Sequence, residues 1–257
     1  MKTEISNCAE NSKAEFLNDE ILLSEEIELF SNQVQKGQYY IDVPLKNIVG
    51  LEERKAFENC SNWREAAKNL DCNGWDKARD KIVDYFNSEL KNNIFPMPGS
   101  DKPMTLFITG SAAYCQIGNH RLVAAMVWNT YNLGETTFLK KVKCVHQEVN
   151  SSLQSILNAC AEGCGELYFY RKSTYVSYVL FKTNSFWELY KQDRSDLKIH
   201  DSDIYQYFKI SKGRFQWMMN LCVMFQTDHP FSCYKKLPRR LCRLLIDDSL
   251  LKQSVPC

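Results

Sequence analysis

Along residues 104–131, MTLFITGSAAYCQIGNHRLVAAMVWNTY, apolar positions first alternate and then recur with helical spacing. The pattern predicts a strand, a tight turn at Gly110-Ser111, a second strand, and a polar corner at Gly118-Asn119-His120-Arg121 that opens into a helix. Gly134 ends that helix, because glycine tolerates the left-handed conformation of a C-terminal stop. Residues 138–149, FLKKVKCVHQEV, then alternate as a strand with Val142, Cys144 and His146 on one face. Upstream, YYIDVPLKNI at 39–48 reads as a strand whose Pro44 marks an edge or an end. The charged turn at 49–54 reads as a solvated helix start. Residues 55–70 and 75–90 carry aromatic and aliphatic residues at helical spacing, with Asp71-Cys72-Asn73-Gly74 as the turn between them and a Pro/Gly loop at 95–100 after them.

The flanks differ from this middle. Residues 1–35 are polar and acid-rich and read as a mobile tail with a short helix. Residues 151–161 form a helical pattern ending at Gly163-Cys164-Gly165, and 166–182 an aromatic, β-branched hairpin turning near Arg171-Lys172-Ser173. Residues 201–226 read as a helix or helix pair broken near Ser211-Lys212-Gly213, and 237–251 as a last helix with Pro238 near its start. The expected division is therefore 1–35, 36–150 and 151–257, with an α+β unit in the middle and an α/β extension behind it.

Composition limits the functions this layout can serve. The chain of 257 residues is 44% hydrophobic and 25% charged, as in an ordinary globular protein. Its 32 basic and 31 acidic residues leave a net charge of +1, so any binding of a polyanion must be local. No apolar run approaches the roughly 20 residues of a membrane-spanning helix. The 11 cysteines are odd in number and follow no framework, and no secretory signal opens the chain. Reduced thiols in a cytoplasmic protein are the expectation. The abundance of Asn and Lys suits an AT-rich genome and an accessory bacterial protein.

The corner carries the candidate chemistry. A helix that begins there turns unpaired N–H groups and the positive end of its dipole outward, which is anion-binding geometry. Gly118 permits close backbone approach, Arg121 offers a planar fork for two phosphate oxygens, and His120 can donate a hydrogen bond or shuttle a proton near neutral pH. The alternative is a coincidence at a helix start, with His120 a core histidine and Arg121 a surface residue.

VPLKNI, the paired helices, the LFITG turn, YCQIGNHRLVAA and the closing KKVKCV strand together resemble the ParB/sulfiredoxin-like superfamily, over residues 39–150. The resemblance implies a nucleotide-phosphate site with Gly118 against the phosphates, Asn119 in the variable slot, and His120 and Arg121 as phosphate ligands. The slot that holds a catalytic cysteine in sulfiredoxins is Asn119 here, and Ile117 stands where many members have an acid. The kinase branch places an acidic base after the first strand, the region of Glu52 and Glu53. The implied protein binds a nucleoside triphosphate, ATP or CTP, with Mg²⁺. It hydrolyses the nucleotide or transfers its phosphoryl group to a protein or small-molecule acceptor, with Glu52 or Glu53 as base and His120 and Arg121 as the charge clamp. Phosphoryl transfer needs such a base together with charge neutralisation.

Two other groupings stand apart. Cys144, His146, Cys160 and Cys164 could supply four tetrahedral zinc ligands, but the spacing is loose, and buried free thiols are the default. Arg239, Arg240 and Arg243 form the one dense basic run. They suggest a nucleic-acid-directed alternative of the partition or nuclease kind, against a plain solvated helix face. A non-catalytic interaction module on the same fold is the third reading.

Overall fold

The computed structural model describes residues 1–52, 55–171, 176–193, 206–211 and 233–253. The chain divides into two compact units, Met1–Glu148 with Asp247–Cys257, and Val149–Ile246.

The first unit is built on a mixed six-stranded sheet. Its strands are β1 (Leu22–Leu23), β2 (Ser31–Pro44), β3 (Ile48–Leu51), β4 (Thr105–Thr109), β5 (Ala112–Ile117) and β6 (Phe138–Val149), in the order β1-β3-β5-β4-β6-β2. β4 and β5 are the expected hairpin, antiparallel with Thr109 opposite Ala112, and β4 runs parallel to β6 on its other side. All five residues of β4 are buried, as a central strand requires. Pro44 closes β2, which lies at the sheet edge, where a missing N–H costs no ladder hydrogen bond.

Among the described residues six α-helices belong to this unit: α1 (Lys2–Asn11), α2 (Ser24–Glu28), α3 (Trp63–Lys68), α4 (Arg79–Asn87), α5 (Asn119–Leu133) and, from the far end of the chain, α8 (Ser249–Lys252). α5 is the central one. Residues Arg121 to Val127 are all buried, too wide an apolar surface for one exposed face, so neighbours surround the helix. Asn129 Nδ2 donates to the Phe86 carbonyl at 3.1 Å and so fastens α5 to the end of α4.

Three expectations change. Residues 1–18 are folded, with Ile5, Cys8 and Ala9 of α1 buried in the core. Their i, i+3, i+4 spacing supplies an apolar stripe inside a polar composition. The strand expected at 39–48 stops at Pro44, and after a 3-10 turn at Leu45–Asn47 residues 48–51 form a separate strand where a turn was expected from 49, since Ile48 and Leu51 pair in parallel with Ala113 and Cys115. The helix expected at 55–70 shrinks to α3, because Asn62 caps its start by accepting a 3.0 Å hydrogen bond from the Glu65 amide.

The second unit holds an antiparallel sheet of β7 (Glu166–Arg171), β8 (Val176–Lys182), β9 (Phe186–Asp193), β10 (Gln206–Ser211) and β11 (Lys235–Lys236), in the order β10-β9-β8-β7-β11. Beside it α6 (Gln154–Glu162) packs on α7 (Arg239–Ile246). The expected hairpin is β7 and β8. Residues 206–211, expected to be helical, are a strand paired with β9, and the rest of the 201–226 expectation lies outside the described residues. The last expected helix is split at Asp247-Asp248. α7 belongs to the second unit, while Leu250 of α8 joins the core of the first, where Ser111 Oγ donates to the Asp247 carbonyl at 3.0 Å.

Candidate functional site

β5 ends at Ile117, and Gly118 turns the chain with φ of 100° before α5 starts. A side chain strongly disfavours that conformation. The Gly118 carbonyl accepts the first helical hydrogen bond, from Leu122 N–H at 2.9 Å. The corner residues Gly118, Asn119, His120 and Arg121 all line one cleft of about 790 Å³, together with the 95–102 loop, the 71–75 turn and Phe57.

Arg121 is the unusual member. It is only 6% exposed, and no carboxylate pairs with it among the described residues. Its Nη1 donates to the Lys102 carbonyl at 3.0 Å, and its guanidinium lies 5.7 Å over the Phe95 ring. The absent Cβ of Gly118 makes room for it: a methyl there would stand 2.9 Å from Arg121 Nη2 and 3.0 Å from Nε. Burial pushes the phenol of Tyr85 up, and the Arg121 charge opposes that shift. A buried cation without a counter-charge is costly to keep. A bound anion would remove that cost.

His120 packs its ring 5.2 Å from Phe57. Burial lowers its pKa, and the charge of Asp71 partly offsets the effect. The imidazole is therefore neutral near pH 7, able to give one proton and to take one. Trp75 and Phe95, with ring centroids 5.0 Å apart, provide an apolar floor.

The carboxylates in the cleft are Asp71 and Asp101. Glu52 is exposed just past β3, its amide bonded to the Cys115 carbonyl at 2.8 Å, and it is not a lining residue; Glu53 lies outside the described residues. Reading the turn at 71–74 and the loop at 95–100 as connectors missed Asp71, Asp101, Lys102 and Phe95. Their signal was the Pro/Gly loop itself, since loops held by a rigid scaffold often carry binding residues. Cys115 is fully buried, donates to the Ile117 carbonyl at 3.3 Å, and has its thiol pushed up by burial, which makes it a poor nucleophile.

The other groupings fare differently. Among the described residues no three His, Cys, Asp or Glu side chains are placed to hold a metal ion. Cys144 and His146 are buried on β6 of the first unit, while Cys160 and Cys164 belong to the second. The basic run lies on α7, where Arg239 sits against Gly163 and Arg243 Nε donates to the Ala161 carbonyl at 3.3 Å. Two of its arginines thus serve the C-terminal end of α6, where cations complement the helix dipole. Arg240 is half-buried, and burial lowers its pKa. No helix among the described residues is long and apolar enough to cross a membrane.

Compared with protein families, with curated proteins and with solved structures, the chain matches none.

Proposed function

We propose that the first unit binds the phosphate groups of a nucleoside triphosphate at the Gly118–Arg121 corner, on a ParB/sulfiredoxin-like fold, and hydrolyses the nucleotide or transfers its phosphoryl group. The observation that carries this reading is Arg121, a buried guanidinium without a carboxylate partner, set at the N-terminus of a fifteen-residue helix in the wall of a cleft. Backbone N–H groups, the helix dipole and a guanidinium fork favour the same ligand, a phosphate. The rings of Trp75 and Phe95 suit an attached base, and the cleft volume is that of an ordinary small-molecule site.

Asp71 takes the role that the resemblance assigns to Glu52 or Glu53. It lies in the cleft and within electrostatic reach of His120. In this reading Asp71 or His120 accepts the proton of the attacking hydroxyl or water, and Arg121 neutralises charge on the transferred group. A Mg²⁺ ion that arrived with the phosphates would need only one or two protein carboxylates, and Asp71 and Asp101, which line the cleft, would hold it.

Thermal unfolding with ATP, CTP, ADP or inorganic phosphate, each with and without MgCl₂, tests the binding. A ligand at a hundred times its dissociation constant adds about 2.7 kcal/mol, a rise of roughly 5–10 °C for a unit of this size. No shift with any of the four ligands would end the proposal. Binding without phosphate release or transfer to any acceptor would leave a nucleotide-binding module and remove the catalytic part.

A further inference from the structure

In the second unit two cysteines from different helices meet. Cys160 of α6 and Cys242 of α7 have their sulfurs 3.0 Å apart, with the Cys242 thiol donating to Cys160. They are 82 positions apart in sequence, and their exposures are 2% and 0%. We propose that Cys160 and Cys242 form a peroxide-reactive dithiol site that closes to an internal disulfide between α6 and α7.

The surroundings assign the roles. Cys160 accepts hydrogen bonds from the Cys242 thiol and the Leu167 amide and feels the charges of Arg239 and Lys236, all of which favour its thiolate over the opposing effect of burial. Cys242 is held as the thiol, because it donates that bond and is buried. The thiolate is the attacking form, so Cys160 is the nucleophile. Burial admits only a small uncharged oxidant, and hydrogen peroxide fits. The Cys160 thiolate attacks one peroxide oxygen, the O–O bond breaks, and Cys160 becomes a sulfenic acid while the leaving hydroxide takes a proton to become water. The Cys242 sulfur then attacks the Cys160 sulfur. The S–S bond forms, the S–O bond breaks, and the departing hydroxide takes the Cys242 proton as a second water. Two thiols are oxidised to one disulfide, and one peroxide is reduced to two waters.

Little movement is needed, since the sulfurs already touch and the helices are packed together. The exposed Cys164 and Cys233 are the natural competitors for the oxidant. The test treats the reduced full chain with a small excess of hydrogen peroxide, blocks the remaining thiols with N-ethylmaleimide after denaturation, and maps peptides without reductant. The expected result is a loss of two alkylatable thiols per chain, a Cys160–Cys242 cross-linked peptide, and its disappearance on treatment with dithiothreitol. In Cys242→Ser the oxidation should stop at Cys160 as a dimedone-reactive sulfenic acid; in Cys160→Ser, Cys242 should stay unmodified. Cross-links that involve only other cysteines, or a Cys160 and Cys242 recovered as thiols while Cys164 is oxidised, would overturn the proposal. The wild-type map decides even if neither variant folds.

Discussion

Replacing Arg121 by methionine separates a binding role from a structural one, because the two predict opposite balances of stability and affinity. Methionine keeps much of the apolar stem of the side chain. What the folded protein loses is the charged hydrogen bond to the Lys102 carbonyl, roughly 1.5–3 kcal/mol, and the contact over Phe95, roughly 0.5–2 kcal/mol. What it gains is relief from burying an unpaired guanidinium at 6% exposure, a penalty of several kcal/mol. These nearly cancel, so Arg121→Met should unfold within about 1–2 kcal/mol of wild type, against about 2–5 kcal/mol for truncating the adjacent core residue Leu122 to alanine. Affinity behaves otherwise. Two charge-assisted hydrogen bonds to one phosphate are worth together at least about 3 kcal/mol, so the nucleotide dissociation constant should rise at least about a hundredfold. Urea unfolding of the apo protein gives the first quantity, and ligand-dependent thermal shift gives the second. A variant that unfolds more than about 3 kcal/mol more easily yet keeps the full nucleotide shift would show Arg121 to be a packing element and refute the argument.

Gly118→Ala should lower stability and affinity together: φ of 100° costs a side chain about 1–2 kcal/mol, and the new methyl would press on the guanidinium at 2.9 Å. Circular-dichroism melts and nucleotide titration on one sample check both. Burial holds His120 below its ordinary pKa of about 6.5, so the unfolded chain takes up its proton first as pH falls. The contribution of His120 to stability is therefore present above about pH 6.5 and lost below it, and His120→Asn should flatten that part of the stability profile. An anion at the corner favours the protonated ring, so phosphate affinity should rise across the same window in wild type and not in the variant. Tyr114→Phe deletes the 2.7 Å hydrogen bond from the buried hydroxyl to Glu28 Oε1 and should cost about 1–2 kcal/mol, read as a lower urea midpoint at unchanged slope.

By itself the sequence determined those parts whose causes are local. Alternation over 105–117, the Gly110-Ser111 turn, the positive φ that only Gly118 accepts easily, and the helical period after it place strand, corner and helix within one stretch of chain. The same holds for β6, for the β7–β8 hairpin and for the stop at Gly134. Tertiary structure alone decided what depends on partners far along the chain. Residues 49–51, expected as part of a charged turn, become part of β3 because β5 offers a parallel edge more than sixty positions later. Asp71, Asp101 and the corner residues meet in one cleft because the 71–75 turn and the 95–102 loop pack beside it, and no spacing encodes that. The split of the last helix between two units, the use of Arg239 and Arg243 at the end of α6, and the touching sulfurs of Cys160 and Cys242 have the same origin. Periodicity reports which face of an element is buried; what it is buried against follows only when the whole chain closes on itself.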